Sequence, residues 1–476
     1  MIRKNFIAGS WTEGTDAVLD VNPSNLDDVV GEYARADAGQ VERAIDAASQ
    51  AFPAWAVSGI QRRADALDLV GTEILARRDE LGRLLSREEG KTLREGVAEV
   101  ARAGQIFKFF AGEALRLGGE RLPSVRPGVE VEVLREPIGV VGLITPWNFP
   151  MAIPAWKVAP ALAFGNCVVL KPAEAAPGCA WALAEILSRA GLPPGVFNLV
   201  VGRGAVAGEA LVGSPRVAGV SFTGSVETGG RILERLARRR ARAQLEMGGK
   251  NPLVVLDDAD LDVAVSCAVQ GSFHSTGQRC TASSRLVVTE GIHDRFVSAL
   301  AGAMAGLRIG DALDPTTDIG PVVDRGQLEQ DLRYVDLGRR CARLVTGGQH
   351  LERPTPGHYL APALLADTTN DMAMNREEIF GPVAAVIRVR DYEEALAVAN
   401  DTEFGLSAGI CTTSLRHASH FKRNAQAGMV MVNLPTAGVD HHVPFGGRKA
   451  SSYGPREQGR YAQEFYTAVK TAYTAP

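Results

Sequence analysis

Four short, almost wholly apolar runs between residues 138 and 225 alternate with segments of helical period, and this grammar limits the fold more than any other feature of the chain. GVVGLIT (139–145), NCVVLKP (166–172), VFNLVVG (196–202) and GVSFTGS (219–225) each have the length of one buried strand. Helical stretches from Pro150 to Phe164 and from Gly178 to Ala190 fall between them. Strands this apolar are covered on both faces, and helices of this length make right-handed crossovers, so the runs predict a parallel sheet. Ligands of such sheets sit beyond the strand carboxyl ends. The first run ends in Thr145-Pro146-Trp147-Asn148-Phe149-Pro150, where two prolines fix a turn and an amide side chain stands at the strand tip. The second ends in Lys171-Pro172-Ala173-Glu174, a cation and an acceptor suited to ribose hydroxyls and a phosphate. The last ends in Phe222-Thr223-Gly224-Ser225 and opens a helix, a good seat for a pyrophosphate. Gly202, Arg203, Gly204 and Gly208 lack the G-x-G-x-x-G spacing and read as a turn.

A second α/β segment runs from about Leu245 to Asn433. It carries Gly277-Gln278-Arg279-Cys280-Thr281-Ala282-Ser283, in which one cysteine has a cation, Arg279, on one side and the hydroxyls of Thr281 and Ser283 on the other. A neighbouring positive charge or a cluster of N–H donors lowers a thiol pKa, so Cys280 is a candidate nucleophile. Glu246, before Gly248 and Gly249, is a carboxylate on flexible backbone able to reach into a cleft. Glu377-Glu378-Ile379-Phe380 and Phe445-Gly446-Gly447-Arg448-Lys449 complete the unusual stretches.

The remaining chain reads as framework. Residues 1–36 are short strands and turns, and Ala38 to Ala114 is helical and carries no expected chemistry. Lys91, in EEGKT, lacks the glycine lead-in of a phosphate loop. The strict alternation Val129 to Val133 and the β-rich segment Gln463 to Tyr473 suit a projecting arm that joins subunits. At 476 residues, two or more domains are expected. A net charge of -4 gives no reason to expect nucleic acid or an anionic membrane as partner, and RLARRRAR (235–242) reads as a solvated helix face. The six cysteines include no CxxC pair, so neither a disulfide framework nor a zinc site is expected and a reducing cytoplasm suits them. His417 and His420 lie three apart with no third ligand in view, so no metal is expected. The start, MIRKNFIAGSWTEG, has no apolar signal region, and no window is apolar enough to span a membrane.

Taken in order, PWNFP, KPAE, FTGS, LEMGGKNP, GQRCTAS, EEIFGP and PFGGRK resemble the aldehyde dehydrogenase superfamily over essentially the whole chain. The resemblance implies two Rossmann-like α/β parallel-sheet domains, one for the cofactor and one catalytic, plus a small β oligomerisation arm. Its boundaries would be 1–120 and 138–245 for the cofactor domain, 121–137 for the first part of the arm, 246–440 for the catalytic domain, and 441–476 for a return segment with the rest of the arm. It makes Cys280 the nucleophile, Asn148 an oxyanion donor, Glu246 the base for hydrolysis and Lys157 a supporting catalytic residue. It places Thr145, Pro146, Trp147, Lys171, Glu174, Thr223, Gly224, Ser225, Gly248, Glu378 and Phe380 at the cofactor, which is NAD with NADP as the alternative. Glu174 favours NAD by repelling a 2′-phosphate. Arg279, Phe149 and Phe445 would meet the substrate, and the enzyme would be a homodimer or homotetramer.

Within the superfamily, REPIGVVGLITPWNFPMAIPAWK and the C-terminal stretch from Asn433 onward resemble α-ketoglutaric semialdehyde dehydrogenases. An aldehyde with a distal carboxylate needs a cation to receive it, and Arg279 is the best placed in sequence. His441 and His442 lie near the expected substrate mouth but read first as surface loop. Succinic or glutaric semialdehyde, or a broad range of aliphatic aldehydes, are alternatives in class. A cysteine esterase without redox turnover is the alternative of another class.

Overall fold

The computed structural model describes residues 1–475. The four apolar runs are strands of one eight-stranded sheet whose order is Ser452–Tyr453, Arg242–Glu246, Val217–Thr223, Val140–Ile144, Cys167–Lys171, Phe197–Leu199, Asn5–Ile7, Ser10–Thr12. The strands from Arg242–Glu246 to Phe197–Leu199 are parallel, and the short strands at both edges are antiparallel. Their buried side chains form one core with the helices Ala38–Ala56 to Leu93–Ala114, Ala152–Ala163 and Gly178–Ser188. A seven-stranded sheet follows, parallel except for its edge strand Arg343–Thr346. Glu130–Pro137 pairs with Glu120–Pro123 and Thr467–Thr474 in a separate three-stranded antiparallel sheet, as the alternating pattern suggested.

Local details differ from the expectations in three places. The segment Gly204–Gly208 is not a simple turn but a wide helical turn that runs into the helix Glu209–Gly213. Gln463–Tyr466 is a short helix, and only Thr467–Thr474 is strand. The basic run is solvated only in part: Arg235 pairs with Glu209, whereas Arg239 donates to the Val217 carbonyl and Arg242 to those of Phe465 and Thr467. His417 and His420 pack against Tyr392, His417 by ring stacking and His420 through a 2.7 Å hydrogen bond. Among the described residues no cluster of metal-ligating side chains occurs, and no helix is long and apolar enough to cross a membrane.

One side chain ties the arm to the first sheet. Asn166 Oδ1 accepts the N–H groups of Ile138 (2.8 Å) and Gly139 (3.1 Å), while Nδ2 donates to the carbonyls of Ala161 (3.2 Å) and Tyr466 (2.9 Å). Asn166 is fully buried, so its loss strands backbone groups that water cannot reach. Asn166→Ala is expected to cost about 3 kcal/mol and to lower the apparent Tm in a thermal-shift measurement. An unchanged Tm would show that the arm is held by its strand pairing alone.

Candidate active site

The chain leaves Val140–Ile144, moves outward through Cys167–Lys171 and Phe197–Leu199, then returns to Val217–Thr223 on the other side of the starting strand. Such a reversal parts the connecting loops and leaves a crevice at the carboxyl ends. A cavity of about 310 Å³ lies there, lined by Pro146, Trp147, Asn148, Thr223, Gly224 and Ser225. Gly248, Cys280, Glu378 and Phe380 close its far side. The Trp147 and Phe380 rings meet edge to face at 5.5 Å, and Phe380 is held at a left-handed φ of 66°. Glu378 Oε1 accepts the Gly249 N–H at 2.8 Å, and a Cβ on Gly248 would lie 2.0 Å from Glu378 Oε2, so a larger residue there would push the carboxylate aside. Burial pushes the Glu378 carboxyl up to about 7, with Lys250 opposing.

This crevice fits a dinucleotide. Thr145 and Thr223 end adjacent strands with buried hydroxyls that have no partner. Ser225 caps the helix Val226–Arg238, whose first N–H groups face the same end. Lys171 and Glu174 stand at the tip of the neighbouring strand, outside this cavity's lining. Lys171 Nζ is buried against the Pro172 carbonyl, and burial pulls its pKa down to about 8. Glu174 is ion-paired with Arg35 at 2.7 Å, which offsets the negative charge expected to repel a 2′-phosphate.

Cys280 reaches the crevice from the second sheet, ahead of the strand Ser283–Thr289 and thus from an amino end. Three left-handed residues precede it: Ser275 (φ 50°), Thr276 (56°) and Gly277 (65°). Glu95 accepts both the N–H and the hydroxyl of Ser275 at 2.9 Å, and a Cβ on Gly277 would lie 2.2 Å from the Gly381 carbonyl. The Cys280 carbonyl is fixed by Asn251 Nδ2 at 2.7 Å. Asn148 Nδ2 donates to the Gln278 carbonyl at 3.0 Å, bringing the amide to the cysteine loop with a second N–H to spare.

The electrostatics depart from the expected picture. Arg279 is attracted to the thiolate but does not dominate it, and its Nη2 is spent on the carbonyls of Gln270 and Gly271 at the end of the helix Leu261–Ser272. Burial chiefly, then Glu378 and Glu246, push Cys280 up to about 12, against hydrogen bonds from the backbone N–H groups of Cys280 and Thr281. Glu246 does not face the cavities either. It is buried at the end of Arg242–Glu246, with Oε2 accepting the Ser452 hydroxyl at 2.5 Å. Burial, reinforced by Glu457, raises its pKa well above the ordinary carboxylate range. Lys157 lies behind it, donating to Ser221 Oγ at 2.7 Å and paired with Glu457; it touches neither cavity. Glu457 has no counterpart among the sequence expectations, since nothing in its neighbourhood marks it before folding brings it to Lys157.

A second cavity, of about 240 Å³, meets the first at Cys280 and Thr223. Phe149, Trp156 and Phe445 give it apolar walls, and Arg279 lines it too. Lys91, Glu95, Glu99 and Arg102 also line it, although their segment was assigned no chemistry. Lys91 Nζ donates to Glu99 (2.8 Å) and to the Asn148 carbonyl (2.6 Å), and lies 3.8 Å from the Phe149 ring centre. The signal was present: Glu95, Glu99 and Arg102 recur at four- and three-residue spacing on the face of Leu93–Ala114 that buries Val100, Ala103, Ile106 and Phe110. Charges on a core-facing stripe call for a site. His441 and His442 stay outside the lining, with His441 edge-on to Phe109.

Comparison with known proteins agrees with that geometry. The profile of the aldehyde dehydrogenase family matches residues 11–472. The chain is 43% identical to the α-ketoglutaric semialdehyde dehydrogenase of Bacillus subtilis, over 99% of this chain and 98% of that one. It is 40% identical to the 2,5-dioxopentanoate dehydrogenase of Saccharolobus solfataricus, over 98% of each. The crystal structure of betaine aldehyde dehydrogenase from Staphylococcus aureus in complex with NAD+ superposes with a TM-score of 0.97 at 33% identity, covering 99% of this chain and 95% of that one. Matched by the family profile over nearly its whole length and more than 40% identical to full-length members, the chain belongs to the aldehyde dehydrogenase family.

Proposed function

We propose that this aldehyde dehydrogenase oxidises 2,5-dioxopentanoate, the semialdehyde of α-ketoglutarate, to the free acid by way of a thioester on Cys280. The observation that carries the reading is the meeting of the two cavities at Cys280, one with paired strand ends for a dinucleotide and one with cationic groups for a carboxylate. The similarity to two relatives named for this substrate supports it.

In this reading the Cys280 thiolate attacks the aldehyde carbon. The oxyanion is met by the free N–H of Asn148 Nδ2 and by the Cys280 backbone N–H, a pair worth several kcal/mol in a dry site. NAD or NADP in the crevice supplies the hydride acceptor. Glu378 and Phe380 orient that group, Thr223 and Ser225 hold its phosphate end, and Lys171 with Glu174 and Arg35 reach toward its far ribose. Glu246 then leaves Ser452, turning on the Gly248–Gly249 backbone, and takes a proton from the water that hydrolyses the thioester. Burial, reinforced by Glu457, raises its pKa above the ordinary carboxylate range while it is bonded to Ser452, and leaving that pocket returns it toward the range of an exposed carboxylate. The cofactor side corresponds to 1–120 with 138–245 and the catalytic side to 246–440. The three-stranded sheet, with Leu122, Leu134, Val469 and Tyr473 exposed, would join copies into a dimer or tetramer.

Three outcomes follow from these roles. With the wild-type enzyme, kcat/KM for 2,5-dioxopentanoate exceeds that for pentanal by tenfold or more, about 1.4 kcal/mol; a flat profile across the two would refute the substrate assignment. Glu246→Gln retains a rapid burst of reduced cofactor near one per site, while the steady rate falls about a hundredfold or more; stopped-flow absorbance showing no burst and an unchanged steady rate would remove Glu246 from hydrolysis. Because the thiol is pushed up to about 12, the thiolate fraction grows with pH through the neutral range. Alkylation of Cys280 by iodoacetamide in the cofactor-free enzyme therefore accelerates about tenfold per pH unit between roughly 7 and 9. A rate that levels off in that window would show a thiolate already formed.

A further inference from the structure

The substrate cavity holds three cations, Lys91, Arg102 and Arg279, and two carboxylates, Glu95 and Glu99. The partners can be assigned. Glu99 Oε2 takes Lys91 at 2.8 Å, and its Oε1 accepts the N–H groups of Met151 and Ala152 at 3.1 Å, so it is fully used. Glu95 holds Ser275 and is the carboxylate whose attraction acts on Arg279, whose Nη2 is further tied to helix-end carbonyls. Arg279 also keeps a buried Nε without a partner and forms no ion pair among the described residues, but two carbonyls take its Nη2, so Arg102 is the less satisfied of the two cations. Its one hydrogen bond runs from Nη2 to Gln458 Oε1 at 3.0 Å, and its Nε is buried with no partner. Gln458 is itself fully buried, and its Nε2 is likewise without a partner. Glu99 and Asp440 act on Arg102 only at longer range, and burial drags its pKa down. A guanidinium taken from water without a paired anion is unfavourable, and a ligand carboxylate would relieve it.

We propose that Arg102, and not Arg279, receives the distal carboxylate of the substrate, with its planar fork free on the Nε side and steadied by Gln458 on the other. The Trp156 ring, 5.7 Å from the Arg102 guanidinium carbon, backs the group, and Phe149 and Phe445 give the apolar passage between it and Cys280. Arg102 thus determines specificity, while the chemistry stays with Cys280. The inference rests on the semialdehyde-acid reading given above and names the residue that carries it.

The test is the ratio of kcat/KM for 2,5-dioxopentanoate to that for pentanal, measured in wild type, Arg102→Met, Arg102→Lys and Arg279→Met. In Arg102→Met the ratio is expected to fall about a hundredfold, equivalent to about 2.7 kcal/mol, mostly through KM for the charged substrate. Arg102→Lys, which keeps the charge but not the fork, is expected to fall about tenfold, and it carries the test alone if the methionine variant does not fold. A ratio within about threefold of wild type in the Arg102 variants overturns the proposal, as does a loss confined to Arg279→Met. A wild-type enzyme that shows no preference for the charged substrate refutes the semialdehyde-acid reading itself, an outcome distinct from a wild-type preference that survives the loss of Arg102.

Discussion

The site depends on a left-handed turn that would not persist alone. Ser275 and Thr276 are non-glycine residues at φ 50° and 56°, and such backbone costs of order 1–3 kcal/mol per residue. Glu95, from a helix of the other half of the molecule, holds it by accepting twice from Ser275. The same helix supplies Glu99, which fixes Lys91 and the start of Ala152–Ala163. Lys91 in turn holds the Asn148 carbonyl, and Asn148 holds that of Gln278. One run of hydrogen bonds therefore passes from helix to strand tip to cysteine loop, and it sets where Cys280 meets the crevice. The carboxylates are buried because they join two sheets, and the strain before Cys280 persists because they are there.

Behind the reacting atoms lies a second buried group in which charge is stored rather than exposed. Lys157 pairs with Glu457, and Glu457 raises the pKa of Glu246 beyond what burial does. Ser452, from the return segment that adds the edge strand Ser452–Tyr453 to the first sheet, keeps Glu246 occupied. The segment 445–458 thus does three things: it closes the sheet, holds Glu246, and places Gln458 on Arg102.

Much of this was legible before folding, for a physical reason. The four apolar runs read as central strands, and the tips of the first and last, with Pro146, Trp147, Thr223 and Ser225, line one cavity, while Lys171 and Glu174 at the tip of the second stand outside it. What escaped was set by partners distant in sequence. Arg279 follows the rule that a cation beside a thiol activates it, yet helix-end carbonyls won its donors. Glu174 read as a bare acceptor until Arg35, far away in the chain, was seen to neutralise it. Arg102 and Glu457 carry no motif; only a charge on a core-facing helical stripe hinted at the former, and nothing local marks the latter.

Because Cys280 lies where the two cavities join, with separate linings on either side, neither the dinucleotide nor the aldehyde must pass through the space of the other. Steric traffic therefore imposes no order of arrival. An acid product can leave through the apolar passage while the spent dinucleotide is still seated, and the two departures are separate events with separate rates. In the proposed reading, a change to a residue of one lining alone leaves the walls of the other doorway intact.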